Sequence, residues 1–222
     1  MTILALDTTG EFGSIAVLRN GNLLAEGHLH SPDGFAHILF DELARVLDRA
    51  GCKLQEIDCF AVANGPGSFT GVRVGLTAMK GLAEASAKPL AAISNLRALA
   101  AAGHEDRRVV LLDARRGEVY AAVYDGSLHL IEPEIVAKLP LVLDALNAPR
   151  YEFITLAGSP FKAALAGTPF GEMMWTEASR FLAPTVARCA EQDALEGKLI
   201  SALAADANYV RSSDAELFWR DK

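Results

Sequence analysis

The first thirty residues alternate between apolar runs and turn residues in a pattern that predicts three short strands. The runs ILALD, GSIAVLR and NLLAEGHL each have the length of a strand, and the pair Asn20-Gly21 separates the last two. An Asn-Gly pair between apolar runs is typical of a tight hairpin. We therefore expect a β-meander, in which a first strand is followed by two hairpin-linked strands.

Residues 33–50 then change to a helical period, which places one apolar stripe along the predicted helix. Asp33 stands where a side chain can cap this helix, and Gly51 stands where the helix can end. The members of the stripe are Phe35, Ile38, Leu39, Leu43, Val46 and Leu47.

The pattern of the first half returns from Arg107 as strand, acidic turn, strand, Asp-Gly turn and strand. Aligning Asp7 with Asp113 places Ala16-Val17 on Ala122-Val123 and brings the two later turns within one residue of each other. This match predicts an internal duplication, with two unrelated hairpins as the alternative.

Strands mixed with helices around a repeated meander predict an α/β fold of two similar lobes facing each other across a cleft. The arrangement resembles the actin-like, Hsp70 and sugar kinase (ASKHA) superfamily, a duplicated mixed sheet flanked by helices. We place an N-terminal lobe with partner-docking helices at residues 1–103. The C-terminal lobe is placed at residues 104–222, and its last helix can return to the first lobe.

Composition narrows the function classes. The 222 residues are 51% hydrophobic and lack both a signal-peptide pattern and the roughly 18 uncharged apolar residues of a membrane span. We therefore expect a cytoplasmic protein without membrane contact.

Cys52, Cys59 and Cys189 form no C-x-x-C pair and indicate reduced thiols. A net charge of -7, with only the short basic pairs Arg107-Arg108 and Arg115-Arg116, argues against strong direct RNA binding.

The glycine-rich stretch Gly65–Gly71 follows an apolar strand and opens a second helix, which Ser68 or Thr70 can cap. Backbone amides at such a helix start can bind an anion. The glycine spacing does not fit the dinucleotide fingerprint, Val72-Arg73 stands where a Walker loop needs Lys-Ser or Lys-Thr, and Pro66 replaces a glycine of the hydrolase elbow. A structural turn remains, with an anion site as the alternative.

Small residues recur every three or four positions along this second helix. They are Gly71, Gly75, Ala78, Gly81 and Ala85. A glycine inside a soluble helix costs about 1 kcal/mol relative to alanine, so some contact must offset the loss. This face packs either against the sheet of its own lobe or, beside the stripe of the 33–50 helix, against helices of a partner.

Asp7 and Asp113 end the first strands of the two halves, where two-lobed phosphotransferases place carboxylates that hold metal and phosphate. Few glycines surround them, so a degenerate nucleotide site and a simple turn both remain open. The candidate phosphate contacts are Asp7, Thr8, Thr9, Asp113 and Arg115. His28 and His30, near His37, have a spacing that suits a metal, but we expect no metal site.

The segments ILALDTT, GPGSFTGVRVGLTAMKGLA and LLDARRGEVYAAVY together resemble the TsaB (YeaZ) family of bacteria, and the likeness covers the whole chain. The resemblance implies a subunit of the machinery that installs threonylcarbamoyl on the adenosine beside the anticodon of tRNAs reading codons that begin with A. It also implies a catalytic partner, TsaD, which is a metalloprotein of the same fold.

TsaD-like proteins bind iron or zinc through an H-x-x-x-H pair in a segment like GVNHLEGH, and the matching stretch here is AISNLRAL. Asn95 and Leu99 occupy the two histidine positions, and leucine cannot ligate a metal. The resemblance therefore implies a non-catalytic scaffold that binds and stabilises TsaD and helps recruit the ATPase TsaE. The resemblance also implies that the chain has no intrinsic cofactor and that the metal belongs to the partner. ATP or ADP is expected at the partner interface, and tRNA is expected to bind only through the complex.

The resemblance places the second helix at the partner interface, and without a partner the same surface favours a homodimer. The partner-binding candidates are Gly71, Arg73, Val74, Gly75, Ala78 and Lys80 there, with Leu39 and Leu43 on the preceding helix. Gly75→Arg is expected to abolish association with the fold intact. Arg115 and Arg116 are either solvated turn residues or phosphate contacts at the complex interface. An ATP-dependent small-molecule kinase using Asp7 and Asp113, or a protease, remains the rival function.

Overall fold

The computed structural model describes residues 1–210, and the part of the predicted C-terminal lobe from 211 to 222 lies outside the described residues. The chain divides into two compact units. Among the described residues, unit 1 comprises Met1–Ala98 and Ser179–Ala207, and unit 2 comprises Leu99–Ala178 with residues 208–210. The division after Ala98 lies a few residues before the sequence-based boundary at residue 103, and residues 179–207 belong to the first unit, a return that the sequence analysis allowed for the last helix. Within the described residues, no helix is long and apolar enough to cross a membrane.

The described elements follow each other in the order below. They are β1 (Thr2–Asp7), β2 (Phe12–Arg19), β3 (Asn22–His30), α1 (Leu39–Arg49), β4 (Cys59–Ala63), α2 (Phe69–Ala85), β5 (Leu90–Ile93), α3 (Asn95–Ala100), β6 (Arg107–Asp113), β7 (Glu118–Asp125), β8 (Leu130–Lys138), α4 (Leu139–Asp144), β9 (Glu152–Leu156), α5 (Phe161–Ala164), β10 (Met174–Ala178) and α6 (Ala183–Leu195).

Each unit has one five-stranded mixed sheet, and the two sheets have the same topology. The strand order in unit 1 is β3-β2-β1-β4-β5. Counted from the corresponding edge, the strand order in unit 2 is β8-β7-β6-β9-β10. In both, the first three strands form an antiparallel meander and the last two run parallel to the first. A shared five-strand order is the internal duplication that the repeated sequence pattern predicts.

The pairing register corrects the sequence alignment of the two meanders. Asp7 pairs with Ser14, whereas Asp113 pairs with Val119, so the second strand of unit 2 follows its first strand one residue sooner. The predicted alignment of the second strands at Ala122 is therefore wrong by one residue. The same shift explains why the two later turns are one residue out of step in the sequence.

Both faces of the unit 1 sheet are covered, which explains the unbroken apolar runs of its strands. Leu4 and Leu6 belong to the cluster formed with α1 and α2. Ile3 and Ala5 alternate to the other face, where α6 packs on β1 and β2, and both are fully buried. This packing of α6 is what joins the C-terminal segment to unit 1.

Helix α1 begins six residues later than its sequence pattern predicts. Gly34 has a φ of +83°, a left-handed value that interrupts a helix, and Ile38 rather than Asp33 is the N-cap. The expected cap by Asp33 is therefore wrong. The C-terminal end agrees with the prediction, because Gly51 has a φ of +58° and the next amide, of Cys52, donates to a carbonyl of the last turn.

Glu152 is the main buried charge of unit 2 and is fully enclosed at the start of β9. Its carboxylate accepts hydrogen bonds from the amides of His104 (2.6 Å) and Glu105 (2.8 Å) and from the hydroxyl of Thr176 (2.6 Å). Burial raises the pKa of Glu152, but these hydrogen bonds outweigh it and the pKa lies below the ordinary value of 4.5. The ionised carboxylate therefore holds the loop that leads into β6.

Replacing this carboxylate with an amide, Glu152→Gln, should lower the free energy of unfolding by about 1–2 kcal/mol at neutral pH, because hydrogen bonds to a charged group are stronger than those to a neutral one. A group with a lowered folded pKa stabilises the protein above its unfolded pKa and loses that contribution as the pH falls through the folded value. The difference from the unsubstituted chain should thus shrink below about pH 4.5. Urea unfolding at several pH values measures this stability difference, and Glu172→Gln, at an exposed position, is the control. A stability difference that does not change with pH would contradict an ionised, hydrogen-bonded Glu152.

Candidate functional site

The glycine-rich loop lies directly against the β1–β2 turn of its own unit. The amide of Ser68 donates to the carbonyl of Thr9 (2.7 Å), and the hydroxyl of Thr8 donates to the carbonyl of Gly71 (2.7 Å). A Cβ atom on Gly71 would lie 2.0 Å from the Thr8 carbonyl oxygen, and one on Gly67 would lie 2.6 Å from that of Thr9. Glycine is required here because two stretches of backbone approach each other closely.

Ser68 caps α2, as one of the two predicted alternatives, by accepting from the Gly71 amide at 3.3 Å. The amides of Gly65, Ser68 and Gly71 all donate to acceptors within the protein. Because these three amides already have acceptors inside the protein, they favour the structural interpretation of the loop over anion binding.

Asp7 lies at the centre of a buried hydrogen-bonded chain, hereafter the Asp7 chain, formed by Asp7, Thr9, Asn95 and Gly65. The Asp7 carboxylate accepts from the Thr9 amide (2.9 Å) and hydroxyl (2.6 Å). Asn95 donates to the Thr9 hydroxyl and accepts from the Gly65 amide (3.0 Å). Burial raises the pKa of Asp7, although the hydrogen bonds from Thr9 lower it. The carboxyl group thus fastens β1 to α3 and the glycine-rich loop.

The candidate phosphate contacts have different surroundings in the two units. Asp7, Thr8 and Thr9 are buried in unit 1. Asp113 and Arg115 are exposed in unit 2, where an oxygen of Asp113 accepts from the Arg115 amide (2.8 Å). Sequence reasoning treated these residues as one set, whereas the structure gives the first three an internal role.

Asn95 and Leu99, which the sequence resemblance aligns with a metal-binding pair, are both buried. Asn95 belongs to the Asp7 chain, and Leu99 is fully buried. His28 stacks on Phe181 with ring centroids 3.6 Å apart, and His30 stacks on Phe12 at 4.8 Å. Among residues 1–210, no group of three or more His, Cys, Asp or Glu side chains is arranged to hold a metal.

An open apolar groove runs between α1 and α2 on the outer surface of unit 1, with a volume of about 610 Å³. Phe40 is 56% exposed and Phe69 is 47% exposed at this groove. The guanidinium of Arg73 lies 3.7 Å from the centre of the Phe69 ring, close enough for a cation–π contact. We call this surface, lined also by Val74, Gly81 and residues of α1, the α1–α2 groove.

The predicted partner-binding residues divide between the groove and the interior. Those that line the α1–α2 groove are Leu39, Arg73, Val74 and Ala78. Leu43 belongs to the core, and Lys80 donates to the carbonyl of Ala205 at 2.7 Å. Gly71 faces the β1–β2 turn, and Gly75 faces that turn and the sheet.

Gly75 belongs to the internal part of the small-residue stripe, whereas Ala78 and Gly81 line the groove. A Cβ atom on Gly75 would lie 2.5 Å from the Thr8 hydroxyl oxygen and 3.4 Å from a methyl group of Val62. The expectation that Gly75→Arg leaves the fold intact is therefore wrong, because an arginine has no space at this position.

Phe40 and Phe69 are the groove residues that sequence reasoning missed. The available signal was Phe40 itself, a large aromatic residue placed outside the apolar stripe of its helix.

Comparison with solved structures defines the class of fold. The activator of 2-hydroxyisocaproyl-CoA dehydratase from Clostridium difficile superposes with a TM-score of 0.55 over 89% of this chain and 97% of that chain, at 11% identity. Together with the two mixed sheets flanked by helices, this likeness shows that the chain has an ASKHA-type fold.

Closer relatives define the family. The family described as "TsaD: tRNA N6-adenosine threonylcarbamoyltransferase" matches residues 33–150. The tRNA threonylcarbamoyladenosine biosynthesis protein TsaB of Escherichia coli is 33% identical over 70% of this chain and 71% of its own length. TsaB of Bacillus subtilis is 35% identical over 66% of this chain but only 65% of its own length. YeaZ from Pseudomonas aeruginosa superposes with a TM-score of 0.78 at 28% identity, over 94% of this chain and 99% of that chain. The chain belongs to the TsaB (YeaZ) family.

Proposed function

We propose that this chain acts in tRNA threonylcarbamoyladenosine biosynthesis as a non-catalytic subunit, which binds a TsaD-type catalytic partner through the α1–α2 groove. The observation that carries this proposal is the exposure of two aromatic side chains, Phe40 and Phe69, at one open apolar groove. Large exposed apolar surfaces on a folded domain mark sites of interaction. Membership of the TsaB family supplies the pathway and the class of partner.

The residue types at the groove suit a protein interface. Aromatic residues and arginine are enriched at the centres of such interfaces, and truncating them usually has the largest effect on affinity. Phe40, Phe69 and Arg73 supply both kinds of side chain within one groove. Partner helices can pack between α1 and α2. A second copy of this chain can occupy the same groove when the partner is absent.

The Asp7 chain supports a non-catalytic role. A carboxylate that binds Mg-ATP must be accessible to that ligand, whereas Asp7 is only 2% exposed and one of its oxygens already accepts two hydrogen bonds from Thr9. Asn95, at a metal-ligand position of the partner family, is likewise used inside the protein. In our proposal the transfer chemistry and its metal belong to the TsaD-type partner. The TsaE-type ATPase joins the complex, ATP or ADP binds only at subunit interfaces, and tRNA is held mainly by other subunits.

Reconstitution tests this function directly. The chain, a TsaD-type partner, a TsaE-type ATPase, threonylcarbamoyl-adenylate and tRNA are combined, and each component is omitted in turn. We expect modified adenosine to fall to background when this chain is left out, and we expect the chain alone to modify nothing. Equal modification without the chain would overturn the scaffold role, and Mg-dependent phosphoryl transfer by the chain alone would favour the kinase.

A further inference from the structure

The β6–β7 turn has an unusual backbone. Arg115 and Arg116 have φ values of +64° and +56°, and Gly117 follows at +75°. The left-handed region is open to glycine but is costly for residues with a Cβ atom, and asparagine or aspartate enters it more readily than arginine. Two successive arginines in this conformation indicate that something other than turn formation accounts for these side chains.

The corresponding turn of unit 1, whose hairpin closes one residue later, takes a different backbone path. The β1–β2 turn, residues 8–11, has no residue with a positive φ. It lies under the glycine-rich loop, and its Thr8 and Thr9 are buried. The two copies of the duplicated hairpin have therefore diverged, one as an internal support and the other as an exposed turn.

Hydrogen bonds hold the β6–β7 turn in its left-handed shape. An oxygen of Asp113 accepts from the Arg115 amide at 2.8 Å, Ala114 donates to the carbonyl of Glu118 at 3.0 Å, and Glu118 donates to that of Arg115 at 3.0 Å. Both arginines are exposed. The turn thus presents two adjacent guanidinium groups on a defined backbone, in a chain whose net charge is -7.

We propose that Arg115 and Arg116 form a phosphate-binding turn that contacts the tRNA backbone in the assembled complex. The planar guanidinium group matches two phosphate oxygens at once. An exposed turn can reach an extended polyanion, whereas a free nucleotide usually needs a concave site around its base and ribose. Such contacts position the RNA without reading its sequence. This inference rests on the proposed function, because an acidic chain binds RNA usefully only beside other subunits.

The strained backbone provides a test in which stability and RNA binding should change in opposite directions. The double variant Arg115→Gly/Arg116→Gly removes both cations and relieves the left-handed strain. We expect its urea unfolding midpoint to move to a higher concentration. In the assembled complex, tRNA affinity should fall about tenfold or more, and the slope of log K against log salt should become shallower by about 1.5, as for the loss of two phosphate contacts.

Two matched variants complete the experiment. Arg115→Lys/Arg116→Lys keeps the charge and should keep most of the salt dependence, although bidentate binding is lost. Arg107→Ala removes an exposed arginine at the other end of β6 and should leave tRNA affinity within twofold of the unsubstituted complex.

Partner association is measured by gel filtration with the same proteins, so that the two proposals can fail separately. Intact association with unchanged tRNA affinity and salt slope in the double glycine variant overturns the phosphate-binding turn alone. If the double glycine variant loses ADP binding but keeps its tRNA affinity, the turn binds a nucleotide rather than tRNA, and the proposal is overturned as well. If the double glycine variant no longer associates, the turn belongs to the docking surface instead; if the unsubstituted chain does not associate, the proposed function fails as well.

Discussion

Phe40→Asp is expected to abolish binding of the TsaD-type partner while the chain remains folded. The Phe40 ring is 56% exposed, so its removal takes little packing from the core. Phe40 lies in the first turn of α1, where a carboxylate is favourable and Asp41 and Glu42 already stand. At an interface, in contrast, an aspartate would bury an unpaired charge in an apolar groove.

The expected loss of affinity is at least about 30-fold, or roughly 2 kcal/mol, as for a central interface residue. Isothermal titration calorimetry with the purified partner measures it, and reconstituted tRNA modification should fall in parallel. Leu195→Asp is the matched control, because Leu195 is an apolar residue of α6 that is 85% exposed and lies away from the groove. If both variants bind equally well, the α1–α2 groove is not the docking surface.

Gly71→Ala should lower the free energy of unfolding by about 3 kcal/mol, although alanine is the better helix former. The new Cβ would lie 2.0 Å from the Thr8 carbonyl oxygen, and a backbone atom cannot move without shifting the β1–β2 turn. Gly81→Ala is the matched control in the same helix. No atom lies within 4 Å of a Cβ there, so this variant should be about 1 kcal/mol more stable than the unsubstituted chain.

Urea unfolding of the three proteins measures both changes, and circular dichroism shows whether each variant is folded. Glycine-to-alanine substitution at these two positions of one helix is expected to change the free energy of unfolding in opposite directions. A Gly71→Ala chain as stable as the unsubstituted one would show that the loop does not press against β1 as described.

The elements that are determined locally could be predicted from the sequence. The meander with its turn at Asn20-Gly21, the end of α1 at Gly51 and the cap of α2, narrowed to Ser68 or Thr70, each depend on residues close together in the chain. The start of α1 could not be predicted in the same way, because the apolar stripe extends through Phe35, a buried residue of the turn before the helix.

The candidate site was predicted less completely because its geometry depends on contacts between distant residues. The spacing of Gly71 and Gly75 shows a face of small side chains, but not which neighbour that face meets. The neighbour is Thr8, more than sixty positions earlier, and this contact directs the glycines inward. As a result Phe40 and Phe69, rather than the glycines, are exposed on the outer surface.

The Asp7 chain also constrains how this lineage can change. Asn95, which the sequence resemblance aligns with a metal-binding histidine of TsaD-like proteins, holds both the Thr9 hydroxyl and the Gly65 amide. A histidine at that position would lose both hydrogen bonds, including the one to the loop from which α2 starts, and α2 forms one wall of the proposed docking groove. The side chain of Asn95 therefore links the interior of unit 1 to the geometry of its outer surface.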